Sequence, residues 1–531
     1  MKNRFRQSMN GLHTWTGFAF AWLLYFIFVT GTLGYFEDEI DRWMQPEMSP
    51  VNQPINYAQT LQSAQQQLEK NAADSPSWYL MYPTQRSPFV NISWLQPADP
   101  KNNVKRDWQV KNMNIATGET LDVRETSGGM TLYRMHYNLH YIPKLWGYIL
   151  TSLAAMLMLI GLITGIIIHK KIFVELFTFR ANKGLRSWLD IHNVLSVLPL
   201  PFHLMITYSG LMLLMVVSMS TVIEVNFGEG RENNNRFYKE AFADKSIQKK
   251  TDIEPQNLSM LRVLQDAQQK YPEQKISYIG YLKRHSDNPH FEVWFDQFEG
   301  IERASSLTYQ IKDGQVVVDI SDGKMGFAAG IYDFLEHLHE GLFADIYLRW
   351  LYFLSGLMGA TMIASGTIIW IKKRLKNAEK KQKLQQLLFF ERLNIAMIIG
   401  LPISVACYFL SNRLLPVSMP DRAEWEVHCM FLALLISLLF CTFRAQKYCW
   451  RDMLWIASAS YLLLPVINYL YTGHHIAASI INEDWIMFGF DLTALITGAV
   501  FACTATLFGK KNAIASHAEP NHDETYPLQK Y

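Results

Sequence analysis

The sequence predicts a polytopic α-helical membrane protein of about eight transmembrane helices: a duplicated four-helix core, four additional C-terminal helices and two external α+β modules. Three observations predict it. Apolar runs of about 20 residues, enough to cross a hydrocarbon core of roughly 30 Å, recur eight times. The first 376 residues fall into two halves that repeat each other. Each half encloses a polar stretch with its own helix and strand patterning. The net charge of +2 over 531 residues, with 18% charged, is the average of these two chemistries.

The first apolar run, Gly17 to Phe36, follows the basic MKNRFRQSMN. It is too long for a secretory h-region, and FEDEIDRW follows it where a small-residue cleavage site would stand, so it is expected to stay attached. The next three runs are Leu145 to Ile168, Val194 to Val217 and Leu348 to Ile371. Four more lie near Ile395 to Leu410, Val427 to Phe443, Leu454 to Leu470 and Ile486 to Leu507, joined by short loops. Lys170, Lys171, Arg180, Lys183 and Arg186 between runs two and three, and KKRLKNAEKKQK after run four, place those segments in the cytoplasm by the positive-inside rule. Both termini are then cytoplasmic and the long loops external. The chain divides into a first helix at 1–36, an external module at 37–143, helices two and three at 144–218, a second module at 219–340, helix four at 341–376, four further helices at 377–510 and a polar tail at 511–531. Cys407, Cys429, Cys441, Cys449 and Cys503 all fall within or beside the last runs, where they read as small apolar residues rather than an external disulfide framework.

The duplication sets the architecture. Run one opens with LHTWTG and run three with IHNVLS; eighteen positions separate His13 from Gly31 and His192 from Gly210, with Thr30-Gly31 matching Ser209-Gly210. HYNL at His136 leads to LITGIIIHKK, and HEGL at His339 leads to IASGTIIWIKKR, with a two-residue insertion near Ile142-Pro143 closing the register. The external stretches echo each other: LQSAQQQLEK and LRVLQDAQQKY read as amphipathic helices, followed by alternating strands SWYLMYP and FVNISW in one and ISYIGYL and HFEVWFD in the other. NIATGETLDV and IKDGQVVVDI read as terminal hairpins with Thr-Gly and Asp-Gly turns. Trp43, Trp78, Trp108 and Trp294 read mostly as module core.

These paired modules, the LH-flanked runs and RSWLDIHNVLSVLPLPFHLMITYSG resemble the PepSY-associated membrane family, and within it the ferric-siderophore reductases of the bacterial inner membrane. The likeness covers residues 1–376. It implies PepSY-like modules facing the periplasm, b-type haem on histidines in the four-helix core, and reduction of siderophore-bound iron outside the membrane. The last four helices lie beyond it.

Haem in a membrane bundle takes two facing nitrogen ligands, and neutral imidazole supplies them without burying net charge. His13 and His192 are equivalent in the repeat, sit at the cytoplasmic face and are the expected ligands of an inner haem. His339 is the clearest outer candidate, with His136 its counterpart and His140, four residues on, a competitor sharing the same helix face. His203 lies eleven residues after His192, about 16 Å along a helix. Its repeat partner is Leu24, and it ranks as a secondary ligand. His337 reads as a surface residue, His169 as interfacial, and His428, His474 and His475 as loop residues.

The chain has no Gly-rich phosphate loop, HExxH, CxxC or GxSxG, and its cytoplasmic loops are too short for a dinucleotide-binding unit. No catalytic side chain is assigned. The expected partners are a ferric siderophore, membrane lipid and an electron donor, either a quinol or a separate cytoplasmic reductase, with no nucleic acid; the expected cofactor is haem b, two per chain. Two other classes compete. A transporter is disfavoured because both repeats start inside and charges are almost missing from the apolar runs. A regulatory scaffold that restrains peptidases through its modules would be colourless.

Overall fold

The structure, a computed structural model, describes residues 2–48, 51, 54–84, 86–99, 106–169, 179–180, 183–242, 247–296, 305–321, 326–378 and 381–517. Lys170, Lys171 and the tail beyond residue 517 lie outside the described residues. The chain forms two compact units, Met1–Thr178 with Asn193–Met362, and Phe179–His192 with Ile363–Tyr531.

The chain opens with α1 (Lys2–Ala19) and α2 (Ala21–Gly34), which break at Phe20 and bend by 63°. A short α3 (Glu37–Met44) follows, then α4 (Tyr57–Ala72), β1 (Ser77–Met81), β2 (Val90–Gln96), β3 (Asp107–Met113), α5 (Gly128–Asn138) and the long apolar α6 (Lys144–Ile168). The second half runs α7 (Leu185–Val197), α8 (Leu200–Leu213), α9 (Met215–Ser218), α10 (Ser220–Phe227), α11 (Arg231–Ala241), β4 (Ile247–Lys250), α12 (Met260–Lys270), β5 (Ile276–Leu282), β6 (His290–Phe295), β7 (Ser306–Lys312), β8 (Gln315–Ser321), α13 (Phe327–Glu340) and α14 (Ile346–Lys376). The C-terminal helices are α15 (Lys381–Leu414), α16 (Arg422–Phe443), α17 (Gln446–Thr472), α18 (Ile476–Ile481) and α19 (Trp485–His517).

Among the described residues six helices are long and apolar enough to cross a membrane, or up to eight if each bent pair is one span. The two bent pairs are the first and third expected spans. In the third, α7 and α8 part at Pro199, and Pro201 occupies the first turn of α8; proline lacks the N–H that a continuous helix needs there.

The polar stretches depart from the expectation of two separate modules. Their strands join in one sheet of order β3-β2-β1-β5-β6-β7-β8-β4, all neighbours antiparallel where they pair. The seam is β1 against β5, Tyr79 opposite Gly280, and a Cβ on Gly280 would lie 2.7 Å from the Tyr79 ring. Arg284, two residues beyond β5, locks the seam: its guanidinium lies 3.2 Å from the centre of the Trp78 ring and donates to the Ser75 carbonyl at 2.7 Å. Helices α4 and α12 contribute Leu61, Ala64 and Leu68, and Val263, Leu264 and Ala267, to one shared core. Leu61, Ala64 and Leu68 follow one another by three and four, and Ala267 follows Val263 by four and Leu264 by three, which puts each set on one helix face. Asn56 and Ser259 cap the two helices, their side chains accepting from Gln59 N and Arg262 N. The hairpin expected at IKDGQVVVDI is β7–β8, with Asp313 and Gly314 both at positive φ. That expected at NIATGETLDV reduces to a single bridge, Met113 with Thr120. Trp43 and Trp78 are buried, whereas Trp108 on the edge strand β3 is half exposed.

The C-terminal unit contains a buried polar chain that the apolar runs do not reveal. Arg422 donates to Glu426 at 2.6 Å, Asn412 to Glu426 at 2.7 Å, Arg413 to Asn468 at 2.9 Å and Asn468 to Asp491 at 3.2 Å, tying α15, α16, α17 and α19. Buried charges persist in such a setting when each is partnered. Cys441 and Cys449 are buried among apolar residues at the opposite ends of α16 and α17, and Cys503 is exposed.

Candidate functional site

Helices α2, α5, α6, α8, α13 and α14 wall a cavity of about 350 Å³, mostly apolar, with Leu24, Phe28, Met158 and Phe202 among its lining. His136 of α5 and His339 of α13 face each other in it: their ring centroids are 6.2 Å apart and the ring planes differ by 19°. Two imidazoles that ligate one metal end-on have centroids about 6 Å apart, since each metal–nitrogen bond is roughly 2 Å and each nitrogen lies about 1.1 Å from its ring centre. The pair fits a bis-imidazole haem. Burial pushes the His136 pKa down to about 4, and burial reinforced by His136 pushes His339 down to about 3. Both rings are therefore neutral at ordinary pH, the state that ligates iron.

Glycines on neighbouring helices make room for the rings. A Cβ on Gly31 would lie 3.4 Å from His136 Cγ, and one on Gly210 would lie 3.1 Å from His339 Cε1. His136 Nδ1 donates to the Tyr133 carbonyl on its own helix. His339 Nδ1 lies 2.8 Å from Ser209 Oγ.

The structure thus brings His136, not His140, to His339. Helix α5 ends at Asn138, and Leu139 and Tyr141 both take positive φ, so the expectation that His136 and His140 share one helix face does not hold. His140 instead packs its ring edge-on against Tyr141, centroids 4.2 Å apart.

His13, in the first unit, rests against α6: Nδ1 lies 2.9 Å from the Gly161 carbonyl and 3.3 Å from Thr164 Oγ1, and a Cβ on Gly165 would be 3.3 Å from Cε1. His192, in the second unit, rests against α14 in the same way, with Nδ1 3.2 Å from Ser365 Oγ and a Cβ on Gly366 3.3 Å from Cε1.

His203 is fully buried and turned differently: its Nε2 lies 3.2 Å from the Ser355 carbonyl, and its Nδ1 is buried without a partner. Gly359 clears the way for it, since a Cβ there would meet Nε2 at 2.9 Å. His337, expected at the surface, is buried on α13, its Nδ1 donating to the Asp333 carbonyl at 2.8 Å. His169 caps the end of α6, His428 packs against Trp425, and His475 caps α18.

One end of the cavity carries an acidic and phenolic rim. The Tyr133 hydroxyl donates to Glu340, and Glu336 and Tyr332 line the same end. Glu336 and Glu340 stand close to His339 in the sequence already. Burial, with Asp38 next, pushes Glu37 up to about 8. Asp41, pushed up to about 7 by burial, accepts from Gly129 N at 2.6 Å and so joins α3 to α5. Both belong to a cluster of acids, FEDEID, after the first span. Among the described residues no three His, Cys, Asp or Glu side chains converge on one point.

Compared with known proteins, the chain matches the family model described as the PepSY-associated TM region over residues 11–373. No curated protein matches it significantly.

Proposed function

The chain belongs to the family of the PepSY-associated TM region, a multi-pass helical membrane protein, and from that premise we propose that it is a haem-dependent oxidoreductase reducing siderophore-bound ferric iron. The reading places the chain in a bacterial inner membrane, with the eight-stranded sheet on the periplasmic side. The observation that carries it is the facing pair His136 and His339, 6.2 Å apart in an apolar cavity. Haem b held on that pair would supply one-electron exchange.

Everything else at the site is done by the chain's own groups. Burial keeps both imidazoles neutral, so ligation costs no deprotonation. Gly31 and Gly210 admit the rings, and the aliphatic and phenyl lining excludes water, which strengthens electrostatic interactions inside. At the rim the Tyr133 hydroxyl donates to Glu340, the two lying three residues before His136 and one after His339 in the chain. Repeat equivalence in the sequence suggests His13 and His192 for a second haem, and in each the Nδ1 is held by its neighbouring helix. The electron donor in this reading is a quinol or a separate reductase. Reduction releases the substrate because siderophore oxygens match the hard ferric ion and hold the ferrous ion far less tightly.

Oxidised and dithionite-reduced visible spectra of the detergent-purified protein, with haem counted per chain, test the reading. Two low-spin b haems are expected, falling to one in His339→Ala, and the reduced protein should deliver trapped ferrous iron from a ferric siderophore. A colourless protein made with ample haem would end the proposal and favour a scaffold.

A further inference from the structure

Three histidines meet the helix opposite them in one and the same way. At His13, His339 and His192 it is the Nδ1–Cε1 edge that faces the neighbouring helix, and the residues facing it are a hydroxyl followed by glycine: Thr164-Gly165, Ser209-Gly210 and Ser365-Gly366. In all three the atom nearest the glycine is Cε1, at 3.3, 3.1 and 3.3 Å from where a Cβ would stand. At His13 the carbonyl four residues before the glycine, that of Gly161, accepts from the ring as well. Positions at −4, −1 and 0 lie on one face of a helix, so the three groups form a single cradle.

The hydroxyl has only one proton, and in two cradles its destination is visible. Ser209 Oγ donates to the Met205 carbonyl at 2.7 Å, and Thr164 Oγ1 to the Ile160 carbonyl at 2.7 Å. Each hydroxyl therefore faces its histidine with lone pairs only, so the proton between them belongs to Nδ1. The neutral ring then carries no proton on Nε2. The fourth step of the same pattern, Thr30-Gly31, shows the contrast. Thr30 Oγ1 also spends its proton on a backbone carbonyl, that of Phe26 at 2.8 Å, but His136 turns its Cγ and Cδ2 edge to Gly31 and gives Nδ1 to Tyr133 instead.

We propose that the Ser/Thr-Gly step is a repeated positioning device that fixes the tautomer and rotation of three imidazoles, with Ser209 setting the basicity of His339 as a ligand. This rests on the haem reading above. A hydrogen bond accepted from Nδ1–H raises the electron donation of the opposite nitrogen and stabilises the ferric state. Ser209 is a positioning residue, acting through His339.

The test is a spectroelectrochemical titration of the purified haem-loaded protein in wild type, Ser209→Ala, Ser209→Thr and Ser365→Ala, with low-temperature electron paramagnetic resonance of the ferric forms. Ser209→Ala should keep its haem but raise the ferrous-to-ferric ratio of one haem about threefold at fixed potential, roughly 30 mV for a one-electron couple. Its low-spin signal should broaden as the ring gains rotation. Ser209→Thr, the residue found at the equivalent position 30, should restore both, and Ser365→Ala should move the other haem only. A haem-loaded Ser209→Ala with unchanged potential and line shape overturns the positioning role while leaving the haem reading intact. A colourless wild type overturns both.

Discussion

At His203 the nitrogen that a haem iron takes is already committed. A carbonyl only accepts, so the 3.2 Å contact with Ser355 fixes the proton on Nε2, the reverse of the tautomer set at His13 and His339. Its repeat partner is Leu24, so His203→Leu is expected to retain the full haem complement, with a stability loss of about 1 kcal/mol for the lost hydrogen bond. Haem counted per chain checks this; loss of one haem would return His203 to the ligands. The sequence reading reached His13, His136, His192 and His339 through the repeat, because equal spacing survives in the chain itself. It did not see that His13 meets Gly165 or that His339 meets Ser209, since such contacts depend on how helices distant in sequence pack, which hydrophobic periodicity does not encode. The choice between His136 and His140 was equally closed, for it turned on the positive φ of Leu139.

Among the elements, α3 and α5 were hidden by their length and amphipathic composition. Their junction is close: a Cβ on Gly129 would lie 2.3 Å from the Glu37 carbonyl, and Asp41 accepts from Gly129 N. Burial raises Asp41 to about 7 and Glu37 to about 8. In the unfolded chain both lose their protons near pH 4, so above that pH the folded state binds more protons and stability falls as pH rises through the folded values. Thermal unfolding in detergent from about pH 5 to 9 should show the wild type losing stability, and Asp41→Asn with Glu37→Gln should flatten that slope. An unchanged slope would show that these carboxyls are solvated in the protein. The long spans were legible because twenty apolar residues in a row have few other uses, as α6 and α14 show. The breaks within the first and third spans were not: Phe20 carries no local signal, and the prolines near His203 indicated distortion without its extent.

For the whole molecule, the sheet matters more than its parts. Each half of the sequence supplies a helix and strands that look self-sufficient, and alternation of side chains specifies faces, not which edges will pair. The structure pairs them at β1 and β5, burying one core beneath α4 and α12. Fragments 54–126 and 247–321, produced separately, should therefore each self-associate through the open edge and, when mixed, combine one to one; size-exclusion chromatography with light scattering distinguishes these states. Monomeric fragments that ignore each other would mean that the seam contributes little.

The same seam has a consequence for biosynthesis. Strand β1 is finished at Met81, but its partner β5 does not begin until Ile276, nearly 200 residues later. At a synthesis rate of about 5–20 residues per second, the Tyr79 edge waits on the order of ten to forty seconds with its backbone groups unpaired. A nascent chain with a long-lived open edge attracts other nascent chains. The protein's yield in a cell should then depend on how quickly the ribosome reaches the second half, so that slow codons between the two strands would lower it without changing a single residue.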